Sequence, residues 1–539
     1  MTRYNHLITD DNRKWWTLGA MCFALFMIML DNTVVNVALP SIQKDLGASI
    51  SGLEWTINGY TLSFAVLLAT GGRLGDIFGR RRMFLFGVVI FALSSATAGF
   101  APDATSLVIS RVVQGVGAAL MMPATLSIIT NAFPANERGK ALGMWAGVSA
   151  LALAVGPVLG GFLTEQVSWR AIFFLNIPVA IGAVTAALFA VRESRDTTVG
   201  REVDYAGVAA LTVTLTALVL ALVEGNSWGW GSTSIVALLI TAVVGAVAFV
   251  AIELRVKVPM VEFRFFTDRN FLGAVVVALI VSFAMLGVFF FLALYMQDIL
   301  HYSPLEAGVR FLPSTLMIVT VAPIAGRLSD RFGPRWLIAG GLAIVAASLF
   351  SFSGIAVDST YIDLLPGFML LGIGVAMTMS PMTSAAMNAV PVDKAGIASG
   401  VLSMFRMVGG SLGVAVTGAI FQGLVSSRLD SLLSGSGVTA AQRDSISEQL
   451  GGGSTGHIQG LAPSQAKAVA SAGAEAFVYA LGHAMSVSGA VAVLGAVVGA
   501  TAIRAKGKKT TSEASEAEVN LGGEALAGQE ALAAAEPVA

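Results

Sequence analysis

The sequence has little charge and almost no cysteine. Lysine, arginine, aspartate and glutamate make up 12% of its 539 residues, about half of their share in an average soluble domain. The single cysteine, Cys22, excludes a disulfide framework and a cluster of thiolate metal ligands. The formal net charge of −1 at pH 7 leaves no basic excess for binding nucleic acid.

Familiar catalytic and nucleotide-binding motifs are also missing. The chain has no Gly-x-x-x-x-Gly-Lys-Ser/Thr loop and no His-Glu-x-x-His motif, and its four histidines are scattered. The sequence therefore gives no support for ATP-driven work or for a histidine metal site. We expect no enzyme activity, no metal and no other cofactor.

The sequence is instead rich in long hydrophobic segments. Hydrophobic residues make up 55% of the chain and the mean hydropathy is +0.78, which is more apolar surface than a soluble enzyme of this length can bury. A membrane-spanning helix needs about 20 apolar residues. We therefore predict an all-α polytopic membrane protein with 14 transmembrane helices. The spanning runs lie at about 15–39, 53–72, 83–100, 106–130, 139–164, 169–191, 204–223, 234–253, 271–296, 304–326, 336–354, 361–386, 396–422 and 477–503.

The basic residues indicate the orientation of these helices. Fourteen is an even number, so both termini lie on one side. The segments on that side carry 24 lysines and arginines, whereas the loops on the other side carry five. Basic residues favour the cytoplasmic side, so we expect a multi-pass plasma-membrane protein with both termini in the cytoplasm.

Three segments lie outside these spans. Residues 1–14 form the predicted cytoplasmic N-terminus, and residues 425–475 form a long outer loop rich in small and polar residues. Residues 510–539 carry several glutamates and no lysine or arginine, which is typical of a disordered acidic tail.

Two stretches of the sequence occur twice. Gly72–Arg81 and Gly326–Arg335 agree at seven of ten positions, 254 residues apart, and a second match 257 residues apart pairs Gly115–Gly156 with Gly372–Gly413. We infer two copies of a six-helix unit in parallel topology, residues 15–191 and 271–503, with two inserted helices at 204–253. Such repeats are typical of transporters, which bind substrate near the midplane between the halves.

Asp31 lies inside the first predicted helix. A carboxylate within the bilayer is costly and is a candidate functional group. Burial disfavours its charged form and a nearby cation favours it, so such a group can exchange protons or attract a cationic substrate. Asn32 and Asn36 follow it on the same helix and are candidates for substrate contact or coupling.

Arg111 and Gln114 lie inside the fourth predicted helix. Their spacing of three residues places both on one helix face. Counted from the helix ends at about 1.5 Å per residue, Asp31 and Arg111 lie at similar depth. Direct pairing and a shared aqueous cavity both remain open at this stage. The second copy has Phe368 and Leu371 at the equivalent positions, so we expect proton coupling in the N-terminal half.

Three further features are candidates for a role in conformational change or binding. Gly156, Pro157, Gly160 and Gly161 in the fifth helix combine a kink-forming proline with glycines that allow close helix contact. The basic segment after the second helix contains an acid that can accept from an arginine and hold one conformation. We assign this conformational clasp to Gly72, Arg73, Gly75, Asp76, Gly79, Arg80 and Arg81. Arg406 lies near the middle of the thirteenth helix and could bind an anionic group or balance a carboxylate.

Other charged residues lie near predicted span ends, where a solvated side chain is the simpler expectation. These residues are Glu54, Asp298, Glu306 and Arg310.

Taken together, these motifs resemble those of the major facilitator superfamily, and within it the fourteen-helix drug:proton antiporters. The matching segments are Leu30–Pro40, Gly72–Arg81, Arg111–Gly117 and Gly156–Gly161. The resemblance implies that Asp31, Arg111 and Gln114 serve proton coupling, that Asp76 and Arg80 form the clasp, and that the Gly156-Pro157 bend controls closure. The second loop copy departs from the family pattern at Ser329 and Pro334.

The function expected from this resemblance is efflux of lipophilic, often cationic, small molecules in exchange for protons. The expected partners are a small-molecule substrate, protons and the lipid bilayer, and the expected state is a monomer. Two alternatives stay open: a dedicated exporter of one endogenous metabolite, and a non-transporting membrane sensor or scaffold.

Overall fold

The computed structural model describes Thr9 and residues 12–195, 202–257, 259–390, 395–434 and 463–504. The described residues are helical with short connections and contain no β-strand. Fourteen of their helices are long and apolar enough to cross a membrane, which confirms the predicted fold class. The tail at 510–539 lies outside the described residues.

The first six spans form one group of helices, followed by two inserted helices. We label them α1 Arg13–Leu46, α2 Ile50–Phe78, α3 Arg80–Gly99, α4 Ala104–Ala132, α5 Ala135–Gln166, α6 Ala171–Phe174 with Asn176–Ala190, α7 Tyr205–Trp228 and α8 Thr233–Glu253. We call the face where α1 begins and α14 ends the terminal face, and the other the opposite face.

The last six spans form the second group. They are α9 Arg269–Leu294 with a π-helical turn at Tyr295–Ile299, α10 Pro304–Arg310 with Leu312–Phe332, α11 Pro334–Ser353, α12 Tyr361–Asn388, α13 Ala395–Leu433 and α14 Pro463–Ala502. Residues 425–475, expected as an outer loop, are therefore helical at both ends, and residues 435–462 lie outside the described residues.

The Gly72–Arg82 segment is helical and is not the loop that we expected. α2 continues to Phe78 and α3 begins at Arg80, so only Gly79 lies between them. Gly79 has φ = +111°, a backbone conformation that glycine adopts without a steric penalty. The equivalent Gly333, with φ = +86°, separates α10 from α11 in the same way. A single glycine with a positive φ therefore forms each sharp turn.

Helix contacts recur in the two halves with the spacing of the sequence repeat. Gly117 of α4 packs on the Gly87 carbonyl of α3, and Gly374 of α12 packs on the Gly341 carbonyl of α11. A Cβ at Gly117 or Gly374 would lie 2.8 or 2.6 Å from that oxygen. Gly115 on Tyr60 and Gly372 on Ser314 form a second such pair. Because these positions are 254 or 257 residues apart, the contacts support two structurally similar halves.

The two halves meet near the opposite face. Ser411 of α13 donates to Asn58 of α2 at 2.7 Å, and Gln297 of α9 donates to the Val37 carbonyl of α1 at 2.8 Å. The Leu305 amide of α10 donates to Glu165 of α5 at 3.1 Å. At the terminal face, a cavity of about 480 Å³ lies between α2 and α4 on one side and α13 on the other. This conformation is closed at the opposite face.

Candidate functional site

Asp31 and Arg111 form a buried ion pair inside the N-terminal half. The Arg111 Nη1 atom lies 2.5 Å from Asp31 Oδ2, and each residue is 1% exposed. Asp31 lies about four turns before the end of α1, and Arg111 lies about two turns after the start of α4, both counted from the opposite face. The sequence placed them at similar depth, and the structure shows direct pairing.

Two amides complete the hydrogen bonding of this pair. Gln114 donates to Asp31 Oδ1 at 2.9 Å and accepts from Arg111 at 2.7 Å, so it bridges the two charges. Asn176 of α6 donates to the same Asp31 oxygen at 3.3 Å and to Ser95 at 2.9 Å. Asp31 thus accepts from three side chains on two helices. A charged carboxylate is stable in a buried site only with such partners.

Aromatic rings and a carbonyl hold the guanidinium from its other sides. The Arg111 Cζ atom lies 4.3 Å from the centre of the Tyr60 ring and 5.8 Å from that of Phe173, distances at which a cation is attracted to a ring face. Arg111 Nε donates to the Thr56 carbonyl at 3.1 Å. Among the described residues the pair is closed to solvent, so the structure shows direct pairing and not the shared aqueous cavity, the other arrangement left open.

The sequence analysis missed Asn176, Ser95, Tyr60 and Thr56. Asn176 carried a usable signal, since it is an uncharged polar residue inside the apolar run 169–191. The other three gave none, because their contribution depends on how α2 and α3 pack around Arg111.

The second half has an aromatic cluster at the equivalent place. Phe368, which replaces Arg111 in the repeat, lies 5.3 Å from Phe311 and 5.3 Å from Phe352 between ring centres. Leu371, which replaces Gln114, is fully buried. An apolar cluster has no group to protonate, so among these equivalent positions only those of the N-terminal half carry an ionisable side chain.

The glycine-proline segment of α5 packs against both halves. Gly156 and Gly160 lie on Thr33 and Val34 of α1, where a Cβ at Gly160 would be 2.8 Å from the Val34 carbonyl oxygen. Gly161 lies on Pro304 and Leu305 of α10. The Pro157 carbonyl in turn contacts Gly308. α5 is one continuous helix through Pro157, so what this segment provides here is close contact across the seam between the halves.

Asp76 and Arg80 are paired as expected for the clasp. Arg80 donates to Asp76 Oδ1 from Nε at 3.1 Å and from Nη2 at 2.9 Å. Arg73 donates to the Glu202 carbonyl at 3.2 Å, and Arg81 to the Leu188 carbonyl at 2.7 Å. These described bonds stay on the N-terminal half and its following connection, while Gly72, Arg73, Asp76 and Arg80 line the terminal-face cavity.

The remaining predicted site residues lie elsewhere. Asn32 donates to the Ile28 carbonyl at 2.9 Å, and Asn36 to the Asn32 carbonyl at 3.0 Å, both within α1. Arg406 is partly buried in α13. Among the described residues, Arg406 forms no ion pair with a carboxylate and its buried Nε has no hydrogen-bond partner.

Two acids that we expected to be solvated are buried. Glu54 of α2 is fully buried and accepts from Gln422 of α13 at 3.2 Å. Asp298 of α9 is 8% exposed, and its oxygen lies 3.9 Å from Lys44 of α1. The expectation was wrong because both lie where the halves meet, and a contact between distant helices leaves no signal at a span end. Glu306 agrees with the expectation of a solvated side chain, since its side chain is 51% exposed. The Arg310 side chain is only 24% exposed and stacks on Tyr302.

In the described part of the chain, no three His, Cys, Asp or Glu side chains group as a metal site would need. The site's charged groups are thus Asp31 and Arg111. Protonation of Asp31 would remove the negative charge that Arg111 balances.

Comparison with known proteins gives consistent matches. The family described as Major Facilitator Superfamily matches residues 21–414. The tetracenomycin C resistance and export protein of Streptomyces glaucescens is 36% identical over 408 residues, which cover 76% of each chain. The puromycin resistance protein pur8 of Streptomyces alboniger is 39% identical over 426 residues, or 78% of this chain and 84% of that one.

A solved structure supports the fold. The crystal structure of a bacterial homolog to the human lysosomal transporter Spinster, inward-facing and unoccupied, matches with a TM-score of 0.62 and 16% identity. The match covers 92% of this chain and 99% of that one.

Proposed function

Because the chain belongs to the Major Facilitator Superfamily, we propose that it exports lipophilic small molecules, many of them cationic, in exchange for protons. The observation that carries this proposal is the Asp31–Arg111 pair, which places a carboxylate beside a guanidinium within the predicted spans. Relatives named for resistance to tetracenomycin C and puromycin support drugs as the exported class. We assign the chain transport, with no catalytic step.

In this conformation the candidate proton-binding group and the cavity available to a substrate lie at different places. Asp31 and Arg111 lie within the N-terminal half, whereas the cavity lies between the halves. A proton on Asp31 would weaken its bonds to Arg111 and Gln114, and would so loosen α1 from α4. Since α1 also contacts α5 and α9 at the seam, we propose that this change of packing favours opening at the opposite face, with release of substrate.

Several assignments follow from the same proposal. Residues 15–191 and 271–503 are the two rocking units, with residues 204–253 inserted between them. The terminal face is cytoplasmic, the chain works as a monomer, and Gly156–Gly161 and Asp76–Arg80 act at the two gates. Asn32 and Asn36 would tune coupling through α1.

Transport by the purified full chain tests the proposal. In proteoliposomes with an acidic lumen, rhodamine 123 should accumulate above the level in protein-free liposomes, and a protonophore should abolish the difference. Absence of protein-dependent uptake would contradict transport and favour the sensor or scaffold alternative. Protein-dependent uptake that is unchanged by the protonophore would contradict proton exchange.

The breadth of substrates separates the main proposal from a dedicated exporter. A drug exporter should move structurally unrelated dyes and antibiotics, whereas an exporter of one metabolite should move none or one of them. The same vesicles serve for both measurements.

A further inference from the structure

Arg406 is a guanidinium near the middle of a predicted span, and no carboxylate of the described residues forms an ion pair with it. It lies eleven residues into α13, which begins at Ala395. At about 1.5 Å per residue this is roughly 16 Å from the start of the helix, or half of a hydrocarbon core about 30 Å thick.

Its position on α13 points to the cavity. Ser399 and Ser403 line the terminal-face cavity, and Arg406 follows them at the spacing i, i+4, i+7, which defines one helix face. Arg406 is therefore one turn deeper than the innermost lining residue of α13. The acidic residues of the cavity wall, Asp76, Glu202 and Asp204, belong to the end of α2 and the connection before α7, at the cavity mouth.

The Nε donor of Arg406 is unused in the described part of the chain. Its Nε atom is buried without an acceptor, in contrast to Arg111, which donates to Asp31, Gln114 and Thr56. A buried N–H donor without an acceptor is unfavourable. A ligand that supplies an acceptor oxygen would remove that cost.

We propose that Arg406 binds an anionic oxygen group, a carboxylate or a phenolate, on the exported molecule. The planar guanidinium presents parallel N–H donors that match such oxygens in a bidentate arrangement. The substrates therefore include acidic aromatic amphiphiles as well as the cationic compounds expected from the sequence. This inference rests on the proposed transport function and adds a substrate class to it.

Two dyes that share the xanthene-phenyl scaffold test the charge preference. Fluorescein carries a carboxylate and a phenolate, whereas rhodamine 123 is an esterified cation. Fluorescence anisotropy at pH 7.5 gives the Kd of each dye for the detergent-solubilised full chain. The Arg406→Gln variant should weaken fluorescein binding by about tenfold or more, which is the loss of one charge-assisted contact, with little change for rhodamine 123. The Arg406→Lys variant should retain part of the fluorescein affinity.

Arg310→Gln is the matched control. Arg310 is also in a spanning segment, but it stacks on Tyr302 at 3.8 Å and lies near Glu306 at the opposite face. It should leave the Kd of both dyes unchanged. Equal weakening of both dyes by Arg406→Gln would indicate a structural role and overturn the inference, as would unchanged fluorescein binding.

The unmodified chain gives a second test that does not depend on the folding of a variant. Fluorescein should displace bound rhodamine 123 at lower concentration than its O-methyl ether methyl ester, which lacks both the carboxylate and the phenolate. Equal potency would overturn the inference. A chain that transports rhodamine 123 but does not bind fluorescein would overturn the inference alone, whereas a chain that neither binds nor transports either dye would contradict the proposed function too.

Discussion

Loss of Arg111 should lower the stability of the folded protein. Arg111 neutralises Asp31, bonds to Gln114 and Thr56, and packs on Tyr60. Breaking a buried ion pair by removing one partner typically costs about 3–5 kcal/mol. Without the cation, the proton on Asp31 would no longer respond to the packing of α1 against α4.

The Arg111→Ala variant should therefore lose coupling. We expect a lower melting temperature in detergent and no proton release when rhodamine 123 is added to the protein in weak buffer. Arg170→Ala is a control, because Arg170 pairs with Asp45 at the exposed opposite face and should release protons like the unmodified chain. Normal proton release from Arg111→Ala would contradict the coupling role.

At the residue scale, the sequence located the charges but not their surroundings. Asp31, Arg111 and Gln114 could be found because each is a polar residue in an apolar run. Asn176 and Tyr60 could not be assigned to them, since the contacts join helices far apart in the chain. Glu54 was misjudged for the same reason: its burial comes from α13, more than 360 residues later.

At the scale of helices, the proposed clasp at the turn between α2 and α3 predicts an effect on the rate of rocking. Asp76 and Arg80 form a part-buried ion pair on either side of Gly79. Such a pair contributes about 0.5–1 kcal/mol, which shifts a two-state equilibrium by about two- to fivefold. The Asp76→Asn variant should therefore slow turnover several-fold.

Binding should be spared in that variant. The Kd of rhodamine 123 should stay within about twofold of the unmodified value, because Asp76 lies at the cavity mouth and rim charges affect rates more than affinity. Asp45→Asn, which removes an exposed pair at the opposite face, is the control. Unchanged turnover in Asp76→Asn would remove the clasp assignment.

The contact between α5 and α10 predicts how the opposite face is kept closed. A side chain at Gly161 would overlap Pro304 and Leu305, whereas one at Gly147 of the same helix has open space. Overpacking costs about 1–3 kcal/mol, which corresponds to a change of about five- to more than hundredfold in the closed population. Gly161→Val should therefore favour opening at the opposite face, and Gly147→Val should not.

Thiol labelling measures this opening. With Cys22 replaced by alanine, a cysteine at the fully buried Ser411 reports access to the seam. A maleimide should label it faster in Gly161→Val than in Gly147→Val. Equal labelling rates would show that the α5–α10 contact does not control closure.

At the scale of the whole molecule, the number of helices and the repeat were predictable from the sequence, whereas the conformation was not. Apolar runs identify the spans, and matching glycines identify the two copies. The equivalent turns at Gly79 and Gly333 both have a positive φ, which explains the glycine at each. Closure at the opposite face depends on contacts such as Ser411 with Asn58. Nothing in the order of residues favours this state over its open counterpart.

The orientation of the molecule gives a further prediction. If the terminal face is cytoplasmic, an impermeant maleimide added to intact cells should label a cysteine at Asp358, an exposed position of the opposite face. It should not label one at Arg82, whose side chain is 78% exposed at the terminal face. Both variants carry Cys22→Ala, and lysed cells should label at both positions. The reverse pattern would invert the topology.

The most direct test of the central claim is proton-driven efflux by the Asp31→Asn variant. Asparagine keeps the size of the side chain and can still accept from Gln114 or Asn176, but it cannot carry a proton between the two sides. We predict that this variant inserts, binds rhodamine 123 and exchanges it across the membrane without a gradient, yet accumulates none in response to an acidic lumen. Undiminished accumulation driven by the pH gradient would contradict the account.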